Sequence, residues 1–495
     1  MAVMRPRVLP GAPACYYQIR DEAVDVSRVA EALLPAHQPV VWLDSARRNP
    51  ATGRFSIVGW DPWLTLRAEA GEVTLTTAQA SLRHRDHPLT ALRRVLGGYR
   101  TDPAQDDGSP PIGPGLLGVL SYELNRWIER LPEPKATPLQ VPEVVMWGMR
   151  QMVVVDHALR RSWLLSVVDP EQPEIQAARD ARARLEESWH LLDVVEVADD
   201  WMAGRCARRT ALSIEPTLSQ RQFEAMIRQA KTFIAAGEIF QANLAQAFRA
   251  SWPGSPWTLY RALRQVNPSP FACLVCAPEW TIVSCSPERL VRVRGGQVDT
   301  RPIAGTRPRG GTPQEDVLNS MELLLSDKER AEHIMLVDLE RNDLGRVCRA
   351  GSVEVEELMA LEEYSHVIHI VSNIRGRLRQ GVDLVDVIRA MFPGGTITGC
   401  PKVRCMQIIR ELEPCARGFY TGSCGYLGFD GSLDLNILIR TLLLQAGQVS
   451  FHVGAGMVAD SIPEREYHET LAKAAALIKA LQAVSAGVSR DVAVR

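Results

Sequence analysis

Two short segments each place glutamates three residues apart: Glu329 and Glu332 in SDKERAEHIM, and Glu466 and Glu469 in PEREYHETLAK. Both segments carry a helical pattern, and on a helix that spacing sets the carboxylates on one face, where like charges repel by roughly a few tenths of a kcal/mol. Helix starts explain part of this. Ser326 with Glu329 and Ser461 with Glu464 each spell a capping box, and acids suit the positive end of the helix dipole. One glutamate per helix remains. Four carboxylates on two helix starts are the hard oxygen ligands that Mg²⁺ prefers, and this ion commonly takes only one or two of them with waters and an anionic substrate. The alternative is a solvated face, with Glu469 and Lys473 a plain i,i+4 pair.

Two loops could meet an anion. PIAGTRPRG (302–310) and GGTITGCPKVR (394–404) combine small or hydroxyl residues with bases, yet neither is a P-loop, and no GxGxxG follows a strand. GSCGY around Cys424 lacks the second flanking glycine of a nucleophile elbow, so Cys424 is expected to be structural. Cys273 and Cys276 form a CxxC inside the apolar run FACLVCA, which fits a buried strand better than a metal site.

The elements that must position these residues are legible in part. TLSQRQFEAMIRQAKTFIAAG predicts a helix opened by a Ser219–Gln222 capping box, closed by Gly237, and apolar along Phe223, Met226, Ile227, Ala230 and Ile234. A strand is expected next, with Phe240, Ala242 and Leu244 on one face and Ile239, Gln241 and Asn243 on the other. Strand-like runs such as VVWLD, RFSIVG, VVMWGMRQMVVVD, WTIVSCS and LDLNILIRTLLL alternate with helices throughout, which favours an α+β fold over a doubly wound one. The expected organisation is an N-terminal region at 15–165, a connecting segment at 166–216, a catalytic region at 217–480 and a disordered tail at 485–495.

Composition narrows the partners. In 495 residues the net charge is −2 with both signs mixed, which argues against a nucleic-acid or membrane-attracting surface. No apolar run reaches the roughly 18 residues needed to span a bilayer. With no signal-like start and ten cysteines outside any small secreted framework, the expectation is a cytoplasmic protein with reduced thiols.

Taken in order, SPERL, PIAGTRPRG, DKERAEHIMLVDLERNDLGRV, YSHVIHIVSNIRG, FPGGTITGCPKVR, DLNILIRT and GAGMVADSIPEREYHET closely resemble the chorismate-utilising enzymes. That family includes component I of anthranilate synthase and of aminodeoxychorismate synthase, with isochorismate and salicylate synthases as cousins. The resemblance is dense from residue 219 to about 480, and LDSA, GRFSIVG and GVLSYELNRWIERLP extend it to the N-terminal region. It implies large antiparallel sheets packed as a sandwich and flanked by helices.

The resemblance also implies roles. Glu332 and Glu469 would ligate Mg²⁺, with Glu329 and Glu466 supporting them. Lys473, Arg440, Tyr420, Thr306 and the Gly454, Ala455 and Gly456 backbone would hold chorismate. Glu288 would be the acid that protonates the departing C4 hydroxyl, and His369 would act in proton removal or pyruvate loss. The cousins that add water carry a lysine base at the position of Gln241; a glutamine cannot deprotonate water, which implies amination. No glutaminase motif is present, so ammonia is expected from a separate glutamine amidotransferase subunit. QANLAQAF, GTITGCPKVR and RGFYTGSCGYL favour aminodeoxychorismate synthase, whereas Ala304 stands where many of those enzymes have a lysine and PIAGT is the usual anthranilate synthase spelling. Isochorismate synthase and a silent ligand-binding subunit are the remaining alternatives. Leu43, Asp44 and Ser45 match the place where anthranilate synthases bind tryptophan, and could equally be a plain strand end.

Overall fold

The computed structural model describes residues 13–34, 38–49, 52–102, 108–135, 140–170, 172–194, 212–363 and 367–486. The apolar, β-branched runs of the sequence become long strands, such as Phe55–Glu69 and Val144–Asp156, paired along nearly their whole length. Among the described residues 22 strands join in one network, and every pairing is antiparallel. Helices flank this sheet system, so the fold is α+β as expected.

Strand periodicity divides the interior in two. Val41, Cys273 and Val275 enter one apolar core, while Val40, Trp42, Leu274 and Cys276 enter another on the opposite face. Burying each large apolar side chain stabilises the fold by about 1.5–3 kcal/mol. The same alternation sends Cys273 and Cys276 to opposite faces, so the CxxC cannot act as one chelate, and burial pushes the Cys276 thiol up to about 12.

Early and late chain segments interlock. Val40–Asp44 lies between Phe55–Glu69 and Phe271–Cys276, and Gly115–Leu120 lies between Val144–Asp156 and Ser423–Gly428. Within the expected connecting segment, helix Glu174–Val194 packs Ala177, Ala181, Leu185 and Trp189 onto the second core; residues 195–211 lie outside the described residues. Helix Pro463–Ala486 runs into the expected tail, whose residues 487–495 also lie outside them. Among the described residues no helix is long and apolar enough to cross a membrane.

Local signals held where the bonding is local. The Ser219–Gln222 box is complete, Gly237 adopts φ +75°, and Phe223, Met226, Ile227 and Ala230 pack on Leu244, Ala455 and Met457. Two details differ. The strand begins at Gln241, not before it: the Phe240 amide bonds to the Cys400 carbonyl, the ladder starts with Gln241 opposite Cys400, and Phe240 is left 69% exposed. Ser461 does not cap its helix as a box, because its hydroxyl accepts from the Val458 amide at 3.1 Å and the helix starts at Pro463.

Candidate active site

Two neighbouring strands form the floor of the site. Gln241–Ser251 runs antiparallel to Gln448–Met457, with Asn243 opposite Gly456 and Ala245 opposite Gly454. Both glycines stand where a side chain would collide. A Cβ on Gly456 would lie 2.3 Å from Gln241 Nε2, and one on Gly454 would lie 2.7 Å from Asn243 Oδ1 and 2.9 Å from Tyr420 Oη. Ala455, between them, points its methyl into the apolar cluster with Phe223 and Leu244, so it offers the site only backbone.

Helix Asp327–Gly345 brings Glu332 to this floor, where its Oε1 accepts from Gln241 Nε2 at 2.8 Å. Helix Pro463–Ala486 brings Lys473, which donates to the Gly454 carbonyl at 3.0 Å and pairs with Glu469 at 2.8 Å. Glu332 and the Lys473–Glu469 pair therefore meet the same strand at glycines two residues apart, roughly 7 Å along it.

Glu288 and His369 are both almost fully buried. Burial pushes the Glu288 carboxyl up to about 7, against the pull of the Thr396 hydroxyl, Arg440, the Ile303 amide and Lys473. Its Oε1 has no hydrogen-bond partner among the described residues. Burial lowers His369 to about 4, with Arg440 adding to the effect. His369 Nδ1 lies 3.3 Å from the Gly305 carbonyl, which can only accept, so Nδ1 carries the hydrogen and Nε2 the lone pair. Gly305 has φ +64° at a bulge, and its neighbour Thr306 sits opposite His369 in the register; the Thr306 side chain lies outside what is described. Arg440, the cation common to Glu288 and His369, also donates to Asn267 Oδ1 at 3.2 Å.

The remaining glutamates sit on the same two helices as Glu332 and Glu469. Glu329 pairs with Arg307 at 3.2 Å, and Glu466 is buried at the start of its helix. Among the described residues no three Asp, Glu, His or Cys side chains converge as a metal cage. The donor chemistry nonetheless fits Mg²⁺: Glu332 and Glu469 are hard oxygen donors flanking one strand, and one or two carboxylates are what that ion takes beside an anionic substrate.

A family model described as chorismate binding enzyme matches residues 38–479. The chain is a chorismate binding enzyme. It is 41% identical over 452 residues to aminodeoxychorismate synthase component 1 of Bacillus subtilis (strain 168), covering 91% of this chain and 93% of that protein. It is 47% identical over 374 residues to an anthranilate synthase component I-like protein of Synechocystis sp. (strain ATCC 27184 / PCC 6803 / Kazusa), covering 75% of this chain and 73% of that one. The crystal structure of anthranilate synthase component I from Streptococcus pneumoniae TIGR4 superposes with a TM-score of 0.75 at 31% identity, over 87% of this chain and 93% of that chain.

In this chorismate binding enzyme the segment Leu43, Asp44 and Ser45 lies apart from the floor, lining a cavity of about 150 Å³ with Phe271, Arg289 and Tyr426. Asp44 is committed to structure: its Oδ2 accepts from Tyr260 Oη at 2.9 Å and Arg264 Nε at 2.6 Å. Sequence reasoning had flagged the GGTITG loop without singling out Thr396, whose hydroxyl lies beside Glu288. The hydroxyl-rich loop was the available signal.

Proposed function

We propose that this enzyme aminates chorismate with ammonia from a separate glutamine amidotransferase subunit, giving 4-amino-4-deoxychorismate and water. The observation that carries the amination reading is Gln241, an amide bonded to Glu332 where a water-adding site needs a base. Glu288 delivers its proton to the C4 hydroxyl, which leaves as water while ammonia adds to the ring. A carboxyl raised to about 7 holds that proton near neutrality. Lys473, Arg440 and Tyr420, with the Gly454–Gly456 backbone, bind and orient the carboxylate on the enolpyruvyl group of chorismate. Neutral His369 keeps Nε2 as an acceptor for a substrate proton. Glu332 and Glu469, supported by Glu329 and Glu466, would hold Mg²⁺, which supplies Lewis acidity and a template when bound.

Ala304 favours a second reading, anthranilate synthase component I, in which the aminated ring loses pyruvate; relatives under both names match at comparable identity. The two separate in one assay. With chorismate, Mg²⁺ and ammonium salt, the lead reading predicts an aminated product that keeps its enolpyruvyl group. Anthranilate fluorescence together with released pyruvate would overturn it in favour of the second.

A further inference from the structure

One edge of strand Gln241–Ser251 is only partly covered by neighbouring strand. On that edge Gln241 and Ala242 pair with Cys400 and Gly399, and Phe248 and Arg249 pair with Pro216 and Glu215. Between them lie Asn243 and Ala245, the residues opposite Gly456 and Gly454. A buried ion pair fills the interval. Glu413 Oε1 accepts from the Ala245 amide at 2.9 Å, and Arg417 Nη2 donates to the Asn243 carbonyl at 2.7 Å.

The Arg417 side chain is 1% exposed and Glu413 4%. Each guanidinium hydrogen is used. Nε and Nη2 bind Glu413 at 2.9 and 2.6 Å, Nη2 also binds Asn243, and Nη1 donates to the Ile397 carbonyl at 2.9 Å and Thr421 Oγ1 at 3.2 Å. Ile397 follows Thr396, the hydroxyl beside Glu288. Thr421 follows Tyr420 and holds φ +60°, a strained conformation for a β-branched residue that persists only when its surroundings impose it.

We propose that the Arg417–Glu413 pair is the positioning element of this site, replacing a missing neighbour strand from the Asn243 carbonyl to the Ala245 amide, just past the Asn243 amide's bond to the Thr398 carbonyl, and fixing that strand to the Thr396 turn and to Tyr420. Neither residue touches substrate in this account; they act through the segments they hold. The consequence for turnover rests on the chorismate reading above.

The test replaces both partners together, Glu413→Met with Arg417→Met, because a buried pair exchanged for apolar side chains of similar volume is often tolerated by a fold. Folding is followed by near-ultraviolet circular dichroism and thermal unfolding, and turnover by kcat and KM for chorismate with ammonium and Mg²⁺. The expected result is a cooperatively folded protein with raised KM and a kcat/KM lower by about 100-fold, the scale of a small misplacement of reacting groups. A folded double variant with wild-type KM and kcat/KM overturns the proposal. Should the double variant not fold, Arg417→Lys carries the test, since an ammonium keeps the charge but cannot make the fork of bonds. It is expected to fold with raised KM; unchanged KM, or failure to fold as well, makes the pair a general stability element and overturns the proposal. Hydrogen exchange at the Ala245 amide reads the splice without any substrate: faster exchange in the variants is expected, and wild-type protection overturns it. A wild-type chain that does not turn over chorismate would fail the functional reading alone.

Discussion

Gln241 donates its side-chain amide to Glu332 across 2.8 Å, and Gly456 beside them leaves no room for a methyl group. The contact joins the residue that argues for ammonia to a carboxylate proposed to hold the metal.

Changing either side of this contact should change the chemistry. Gln241→Lys sets an ammonium against Glu332 and introduces the base of the water-adding relatives, so amination should fall by about 100-fold, the scale of a misplaced acid or base group. Chromatography of the products checks it, and undiminished amination would remove Gln241 from the argument. Gly456→Ala should lower kcat/KM by a similar factor while leaving the melting temperature within a few degrees, because the collision falls on the end of the Gln241 side chain, 2.3 Å away, and not on backbone.

The acid makes a prediction in pH. Glu288 must be protonated to work and is raised to about 7 in the free enzyme, so kcat/KM should decline as pH rises through that value. His369, lowered to about 4, should add no limb between pH 5 and 7. Glu288→Gln should abolish turnover while chorismate binding stays within a few-fold; retained turnover would exclude Glu288 as the acid.

The same shift links to stability. The folded state holds the Glu288 proton more tightly than the unfolded chain, whose value is near 4.5, so this contribution is complete below about pH 4.5 and is lost as pH rises through 7. A difference of this size corresponds to about 3 kcal/mol. Glu340, Asp343 and Glu123 are also raised by burial, so the informative quantity is the difference between proteins. Thermal unfolding of Glu288→Gln against wild type should show the variant gaining relative stability as pH rises from about 4.5 to 7, with the difference level above that; parallel curves would contradict the shift.

The metal reading predicts that chelation abolishes turnover and that Mg²⁺ restores it. Glu332→Gln and Glu469→Gln should each raise the Mg²⁺ concentration needed by at least about tenfold. Titration calorimetry of Mg²⁺ with chorismate present checks this, and wild-type affinity in both variants would exclude them as ligands.

What was legible in the sequence was mostly local. The Ser219–Gln222 box and Gly237 are set by neighbours within a helix turn, and both form. Strand periodicity separated Gln241 from Ala242 correctly but overran at Phe240, because the strand starts where Cys400 supplies a partner, 159 residues downstream by their numbers. Motif resemblance named Glu288, His369, Glu332 and Lys473 one by one, without the distances among them. The Arg417–Glu413 pair was illegible: as an i,i+4 pair it looks like any exposed helix pair, and only the tertiary gap along Asn243–Ala245 gives it a purpose. Glu329 was read with Glu332 as support for the metal, and its contact with Arg307 is an ion pair no spacing rule predicts.

The most direct test of the amination claim is the mass of the product formed by the purified chain from chorismate, Mg²⁺ and ¹⁵N-ammonium. The expected product carries one ¹⁵N in place of the C4 hydroxyl, with the three-carbon enolpyruvyl ether still attached. A product that gains no nitrogen, an aminated product that has lost the three-carbon ether, or no product at all while chorismate binds, would contradict it.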